Sequence, residues 1–93
     1  MKIIHTPTFS KQLKEIIAYI AKDKPVASIN FKNALKESIN NIPNTPCKYR
    51  KSIYFKDKNI RDMIFKGYTI VYRVKPRKEE IEILRIFNMN KPK

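Results

Sequence analysis

The sequence predicts a single α+β domain, in which a helical hairpin packs on one face of an antiparallel sheet. Two features of the apolar pattern predict this class. In the first half of the chain apolar residues recur every three to four positions, which is typical of amphipathic helices. After residue 60 they alternate at every second position, which is typical of strands. The length of 93 residues fits one domain over residues 1–93, and the predicted element order is β-α-α-β-β-β.

The first half of the chain predicts one short strand and two helices. Residues 2–5 form the strand, and the Thr-Pro-Thr sequence that follows ends it and starts a helix. One apolar stripe over residues 9–20 and another over residues 27–42 each mark the buried side of a helix. Pro25 suits the first turn of the second helix, and we expect Asp23 to cap it.

The second half predicts three strands joined by turns. They span residues 60–65, 68–74 and 80–87. Gly67, the only glycine in the chain, follows Lys66 between the first two of these strands, which indicates a hairpin turn.

The middle strand of these three has two different sides. Because successive side chains point to opposite faces of a sheet, the tyrosines at positions 68 and 72 lie on one face, which we expect to contact the helices. Thr69, Val71 and Arg73 then lie on the opposite face. We expect that face to be open to solvent or to a partner.

The charge of the chain indicates the chemistry of its partner. Lysine and arginine number 21 against 8 acidic residues, which gives a formal net charge of +13. A small domain with so much positive charge favours a polyanionic or acidic partner. Nucleic acid, the ribosome, a membrane surface and an acidic protein all fit, and composition alone does not choose among them.

Several classes of site are excluded by composition. His5 is the only histidine and Cys47 the only cysteine, so we expect no metal site, no disulfide and no cofactor. A single glycine excludes a phosphate-binding loop. The lone cysteine and an N-terminus unlike a signal peptide predict a cytoplasmic protein. The longest apolar run, residues 16–21, is far shorter than the roughly 20 residues of a membrane span.

Three groups of residues are candidates for a binding role. Residues 48–58 alternate five basic with three aromatic residues, which suits either nucleic acid or a solvated loop anchored by its rings. Arg73 and Arg85 lie within strands, where they either grip an anion or discourage strand-edge aggregation. Val26 and Ile29 lie on the polar side of the second helix, either as scattered surface residues or as a partner contact.

The order of several short motifs is more specific than any one of them. They are Phe9-x3-Leu13-x2-Ile16-x2-Tyr19-Ile20, Asp23-x-Pro25-x-Ala27-x3-Phe31, Ile60-Arg61-x-Met63, Gly67-Tyr68-x-Ile70-x-Tyr72-Arg73-Val74 and Ile81-x-Ile83-Leu84-x-Ile86. With this order, length and charge, the chain resembles the RelE/ParE superfamily of type II toxins over about residues 3–87. The β-α-α-β-β-β fold of that superfamily agrees with the predicted elements.

The resemblance implies a partner. Members of the superfamily are small basic toxins, each neutralised by a co-expressed antitoxin with an acidic, flexible C-terminal part. Such a partner accounts for the positive charge and implies a toxin–antitoxin hetero-oligomer or a homodimer. The residues expected to contact the antitoxin or the target are Val26, Ile29, Thr69, Val71, Arg73 and Arg85.

The resemblance also implies two alternative activities. RelE-like members cut mRNA on the ribosome without a metal, and here Lys56, Arg61, Arg73 and Arg85 are the candidate catalytic residues. ParE-like members bind DNA gyrase and trap it on cut DNA. Asp62 and Thr69 occupy positions where the nucleases carry basic residues, and nothing after Phe87 is His, Arg or Tyr. The sequence therefore favours a ParE-like gyrase inhibitor, with the ribonuclease as the alternative.

Overall fold

A computed structural model describes residues 1–88. Residues 89–93, in the region where the nucleases carry His, Arg or Tyr, lie outside the described residues. The α+β class is confirmed. Two short 3₁₀ turns, Ile42–Asn44 and Pro76–Lys78, connect the other elements. These elements are β1 (Lys2–His5), α1 (Pro7–Asp23), α2 (Pro25–Asn40), β2 (Arg50–Lys51), β3 (Ile60–Phe65), β4 (Tyr68–Lys75) and β5 (Glu80–Asn88).

The described strands form one mixed sheet in the order β1-β5-β4-β3-β2. The pairs among β2, β3, β4 and β5 are antiparallel, whereas β1 runs parallel to β5. The predicted antiparallel sheet is thus confirmed for β2 to β5, and β1 adds one parallel strand. The parallel pairing is possible because the long stretch of chain between β1 and β5 allows the crossover that it needs. The two-residue strand β2 was not predicted.

Thr6 fixes the start of α1 against the sheet. Its Oγ1 accepts a hydrogen bond from the backbone N–H of Phe9 at 3.2 Å and donates one to the carbonyl of Ile83 at 2.8 Å. The expected cap of α2 is wrong, because Asp23 is the last residue of α1. Lys24 alone separates the helices, and its φ of −138° and ψ of 77° lie outside the helical region, which a residue before proline avoids.

The predicted hairpin turn between β3 and β4 is confirmed. The backbone φ angle is 48° at Lys66 and 85° at Gly67. Two successive positive φ angles fit the tight turn that matches the twist of paired strands. This turn sets the register in which Phe65 lies opposite Tyr68.

The main core lies between the helices and the sheet. Phe9 of α1 is buried there with Phe31, Leu35 and Ile39 of α2. The residues that the sheet and the first 3₁₀ turn add to this core are Ile42, Met63, Ile70, Tyr72, Val74, Ile81, Ile83 and Ile86. We call this group the helix-side cluster.

The opposite face of the sheet is not open along its middle, so the expectation for Thr69 and Val71 is wrong. Both residues are 0% exposed. Val71 packs with Ile60 and Phe87 in a second, smaller cluster, which Phe55 and Leu84 extend. Phe55 belongs to the irregular segment of residues 52–59, the strap, so we call these five residues the strap-side cluster. Because it contains no helical residue, it lies on the face away from the helices.

Candidate functional site

The strap, residues 52–59, covers the second face of the sheet. A buried carboxylate holds its beginning. The Oδ2 atom of Asp62 accepts a hydrogen bond from the backbone N–H of Ile53 at 3.1 Å and lies 3.4 Å from an NH2 nitrogen of Arg50. Burying this charge is costly unless it is paired. The strap and β2 are therefore tied to the centre of β3.

Aromatic rings attach the rest of the strap to the sheet. Phe55 packs on the strap-side cluster, and the ring of Tyr54 meets that of Phe87 edge-on, with centroids 5.1 Å apart. In the segment just before the strap, the ring of Tyr49 contacts Tyr72 of the main core. Of the two interpretations of residues 48–58, the loop anchored by its rings agrees with these aromatic contacts. The lysines of this segment are exposed, Lys56 among them.

Two of the candidate catalytic arginines lie on opposite faces of the sheet. Arg61 is paired with Tyr72, a residue of the helix-side cluster, whereas Arg73 is paired with Ile60 of the strap-side cluster. Directly paired residues share a face. Arg61 and Arg73 therefore cannot converge on one phosphate across this sheet.

Both arginines also have partners inside the protein. Arg61 donates from an NH1 nitrogen to the carbonyl oxygen of Tyr49 at 3.0 Å. Arg73 approaches Glu82 with NH1 at 3.2 Å and Asp57 with Nε at 3.9 Å. The remaining candidate on a strand, Arg85, is half-buried on β5 and is paired with Val71, so it lies on the strap side with Arg73. These contacts tie Arg61 and Arg73 to neighbouring parts of the fold.

Tyr72 is the one described group with a clearly shifted pKa. Burial raises the pKa of its hydroxyl, against the opposing effect of the nearby Arg61. The hydroxyl donates a hydrogen bond to the carbonyl of Pro46 at 2.7 Å. A proton held in this way is poorly suited to acid–base chemistry near neutral pH.

The helical hairpin carries an exposed apolar surface near its turn. Val26 and Ile29 are 70% and 59% exposed, and Tyr19 of α1 is 75% exposed. Thus two of the six residues predicted as contacts, Val26 and Ile29, lie where a partner can reach them. Tyr19 was missed as a candidate. Its departure from the buried stripe of Phe9 and Leu13 is the signal that identifies it.

A groove of about 370 Å³ lies between α1 and the end of β5. Past Ile83, where β1 ends, the outer edge of β5 has no described strand partner. There Gln12 accepts a hydrogen bond through Oε1 from the backbone N–H of Ile86 at 2.9 Å. The groove is lined by Gln12, Glu15, Ile16, Tyr19, Tyr68, Ile86, Phe87 and Asn88. This groove and the hairpin surface share Tyr19.

Two kinds of feature are missing from residues 1–88. No group of three or more His, Cys, Asp or Glu side chains is arranged to hold a metal ion. Neither described helix has the length and apolar character needed to cross a bilayer.

A model of one protein family matches nearly the whole chain. Its description is the ParE toxin of type II toxin-antitoxin systems, parDE, and the match covers residues 3–91. No curated protein matches the sequence.

Solved structures from three bacteria have the same fold. A chain of the chromosomal ParDE toxin-antitoxin system of Pseudomonas aeruginosa superposes with a TM-score of 0.76 at 18% identity, over 95% of each chain. A chain of the RelBE2 toxin-antitoxin complex of Mycobacterium tuberculosis gives 0.66 at 13% identity, over 97% of this chain and 92% of that one. A conserved hypothetical protein of Helicobacter pylori gives 0.55 at 16% identity, over 97% and 96%.

Proposed function

The chain belongs to the ParE toxin family of type II toxin-antitoxin systems, and we propose that it acts in the cytoplasm by binding DNA gyrase and trapping it on cut DNA. A toxin of this kind needs a binding surface and no chemistry of its own. The alternative activity, ribosome-dependent cutting of mRNA, needs cationic side chains that converge on the scissile phosphate.

The observation that carries the proposal is the separation of Arg61 and Arg73 by the sheet. A group aimed at developing charge in a transition state contributes roughly 3–4 kcal/mol, but only when it points at the reacting atoms. Arg61 points to the helix side and Arg73 to the strap side. Their distances to Tyr49, Glu82 and Asp57 support roles within the fold.

The strap supports the same proposal. The resemblance implies that RelE-like nucleases carry their basic residues on the face of the sheet away from the helices, where an RNA strand would have to enter. Here Phe55 and Tyr54 cover the middle of that face, with Thr69 and Val71 buried beneath. Opening it would expose the apolar strap-side cluster to water, which is unfavourable.

We further propose that the neutralising antitoxin is acidic and covers the helical hairpin. The net charge of +13 favours an anionic partner. The exposed Val26 and Ile29 offer apolar anchors, and the groove shared with Tyr19 offers a concave surface beside an edge of β5 that has no described strand partner. Arg85 and Arg73 lie on the strap side of the sheet and remain candidate contacts for the antitoxin or the target. We no longer propose Thr69 and Val71 as contacts, because they are buried.

A gyrase cleavage assay tests the proposed target. Purified toxin is incubated with gyrase, ATP and negatively supercoiled plasmid, and trapped complexes are released with detergent and protease. We expect linear plasmid in proportion to toxin. Toxin mixed beforehand with its antitoxin is the control and should give none. Plasmid that stays circular at every toxin excess would contradict gyrase as the target.

A further inference from the structure

The end of the sheet that carries the β4–β5 turn forms an open basic hollow of about 570 Å³. Of its eight described lining residues five are cations, and none is acidic or aromatic. They are Lys58, Asn59, Arg73, Val74, Lys75, Pro76, Arg77 and Lys78. The hollow therefore brings together the end of the strap, the end of β4 and the turn that follows it.

The backbone on both sides of the hollow is fixed. On the strap side, the Oδ1 atom of Asp57 accepts a hydrogen bond from the backbone N–H of Asn59 at 2.8 Å. The carbonyl of Asn59 in turn accepts a hydrogen bond from the backbone N–H of Val74 at 2.8 Å. On the other side, the backbone N–H of Glu79 donates a hydrogen bond to the carbonyl of Pro76 at 3.2 Å, which closes the turn. The cations between these bonds thus start from an ordered backbone, which lowers the entropy cost of binding.

The five cations divide into a paired base and an unpaired rim. At the base, Arg73 and Lys75 share the carboxylate of Glu82, at 3.2 and 3.5 Å. At the rim, the exposed side chains are those of Lys58, Arg77 and Lys78. No carboxylate among residues 1–88 forms an ion pair with any of these three. The rim cations are therefore available to an external anion.

We propose that this hollow binds the phosphate backbone of duplex DNA. Clustered lysine and arginine side chains neutralise phosphates and release counterions. A single strand is disfavoured because no lining residue has a ring on which an unpaired base would stack. An acidic polypeptide is disfavoured because the lining offers only Val74, which is buried, and Pro76 as apolar anchors.

The choice of DNA over duplex RNA rests on the proposed function, since gyrase presents duplex DNA to anything bound beside it. In this arrangement the hollow adds affinity for the gyrase–DNA complex over free gyrase. The three rim cations account for about three phosphate contacts.

Equilibrium binding to a short fluorescent DNA duplex, measured by anisotropy over a range of salt concentrations, tests the hollow without gyrase. The test variant is Lys58→Gln/Arg77→Gln/Lys78→Gln. The matched control, Lys11→Gln/Lys14→Gln/Lys36→Gln, removes the same charge from exposed positions on the helices. Circular dichroism establishes that both variants are folded.

We expect the test variant to lower the slope of log K against log salt by about 2.7, since each phosphate contact contributes about 0.9. Affinity near 0.1 M salt should fall on the order of 100-fold, and the control should lose far less. The charge-preserving swap Arg77→Lys/Lys78→Arg should bind as the unaltered protein does. If DNA affinity depends on the triad Lys58, Arg77 and Lys78 but gyrase is not trapped, the proposed function is wrong and the DNA site in the hollow is still supported.

Three results would overturn the proposal. Equal losses in the test variant and the control would show that bulk charge alone causes binding. Tighter triad-dependent binding to duplex RNA would contradict the choice of DNA. Triad-dependent binding of polyglutamate with no effect of the triad on DNA affinity would identify an acidic-peptide site.

Discussion

The two apolar clusters of this protein lie on opposite faces of one sheet and are built in different ways. The helix-side cluster is filled by regular elements, whose apolar residues recur with the period of a helix or a strand. The strap-side cluster depends on Phe55, a residue of an irregular segment that is tethered by Asp62. The difference implies that the first cluster determines the fold, while the second determines which surface remains for function.

The largest effect is expected from Leu35→Ala. Leu35 is almost fully buried in the helix-side cluster. Truncation there removes apolar burial and leaves a cavity, so the free energy of unfolding should fall by about 3 kcal/mol. Urea unfolding followed by circular dichroism measures the change. Ile29→Ala, on the exposed side of the same helix, is the control and should change stability by less than about 0.5 kcal/mol.

A smaller loss is expected from Phe55→Ala, which removes one of the two rings that attach the strap to the sheet. Phe55 is half-buried, so we expect a loss of about 2 kcal/mol. Amide hydrogen exchange at Ile53 should accelerate, while exchange in α2 should follow only the global change. Ile53→Ala, an exposed change in the same strap, is the control. A loss as large as that of Leu35→Ala would remove the distinction between the two clusters.

Tyr72→Phe tests the contact between the helix-side cluster and the segment that leads to the strap. Loss of the hydrogen bond to Pro46 should cost about 1 kcal/mol at pH 7. Burial raises the pKa of Tyr72, so the folded state keeps a proton that the unfolded chain releases above about pH 10.

The stability that this proton provides is present below pH 10 and is lost as pH rises further. The advantage of the unaltered protein over Tyr72→Phe should therefore shrink by up to about 1.4 kcal/mol per pH unit above pH 10. Urea unfolding at a series of pH values measures it. A difference that stays constant from pH 7 to beyond pH 10 would indicate that the hydroxyl is not buried.

The smallest effect on stability is expected from Val26→Ser/Ile29→Ser. Both residues are exposed, so the free energy of unfolding should change by less than about 0.5 kcal/mol. Affinity for the cognate antitoxin, measured by calorimetry, should fall at least tenfold because two apolar anchors are lost. Asn30→Ser/Asn33→Ser, on the same exposed helix, is the control. Unchanged affinity would place the antitoxin on another surface.

Much of the helix-side structure was predictable because its signals are local. The stripes of α1 and α2, the alternation along β4 and the turn at Lys66 and Gly67 each depend on a few neighbouring residues. The parallel pairing of β1 with β5 was not predicted, because it joins residues far apart in the sequence. Alternation along β4 predicted two faces, but it carries no information about what covers either one.

The site was harder to predict because the strap has no period. Its alternating basic and aromatic residues agreed equally well with a nucleic-acid site and with a loop anchored by its rings. Only the contacts of Tyr54 and Phe55 show that these rings pack on the sheet. For the same reason Thr69 and Val71 were expected on an open face. The basic hollow joins Lys58 to residues of the β4–β5 turn, a proximity that depends on the bond between Asn59 and Val74.

The central claim, that this toxin acts by binding because its own chain fills the face that an RNA strand would need, is tested most directly in a reconstituted translation reaction. The purified toxin is added to ribosomes translating a defined mRNA, and the mRNA 5′ ends are mapped by primer extension. We predict full-length mRNA at toxin concentrations that trap gyrase on plasmid. Cuts within translated codons that disappear in Arg61→Ala or Arg73→Ala would contradict it.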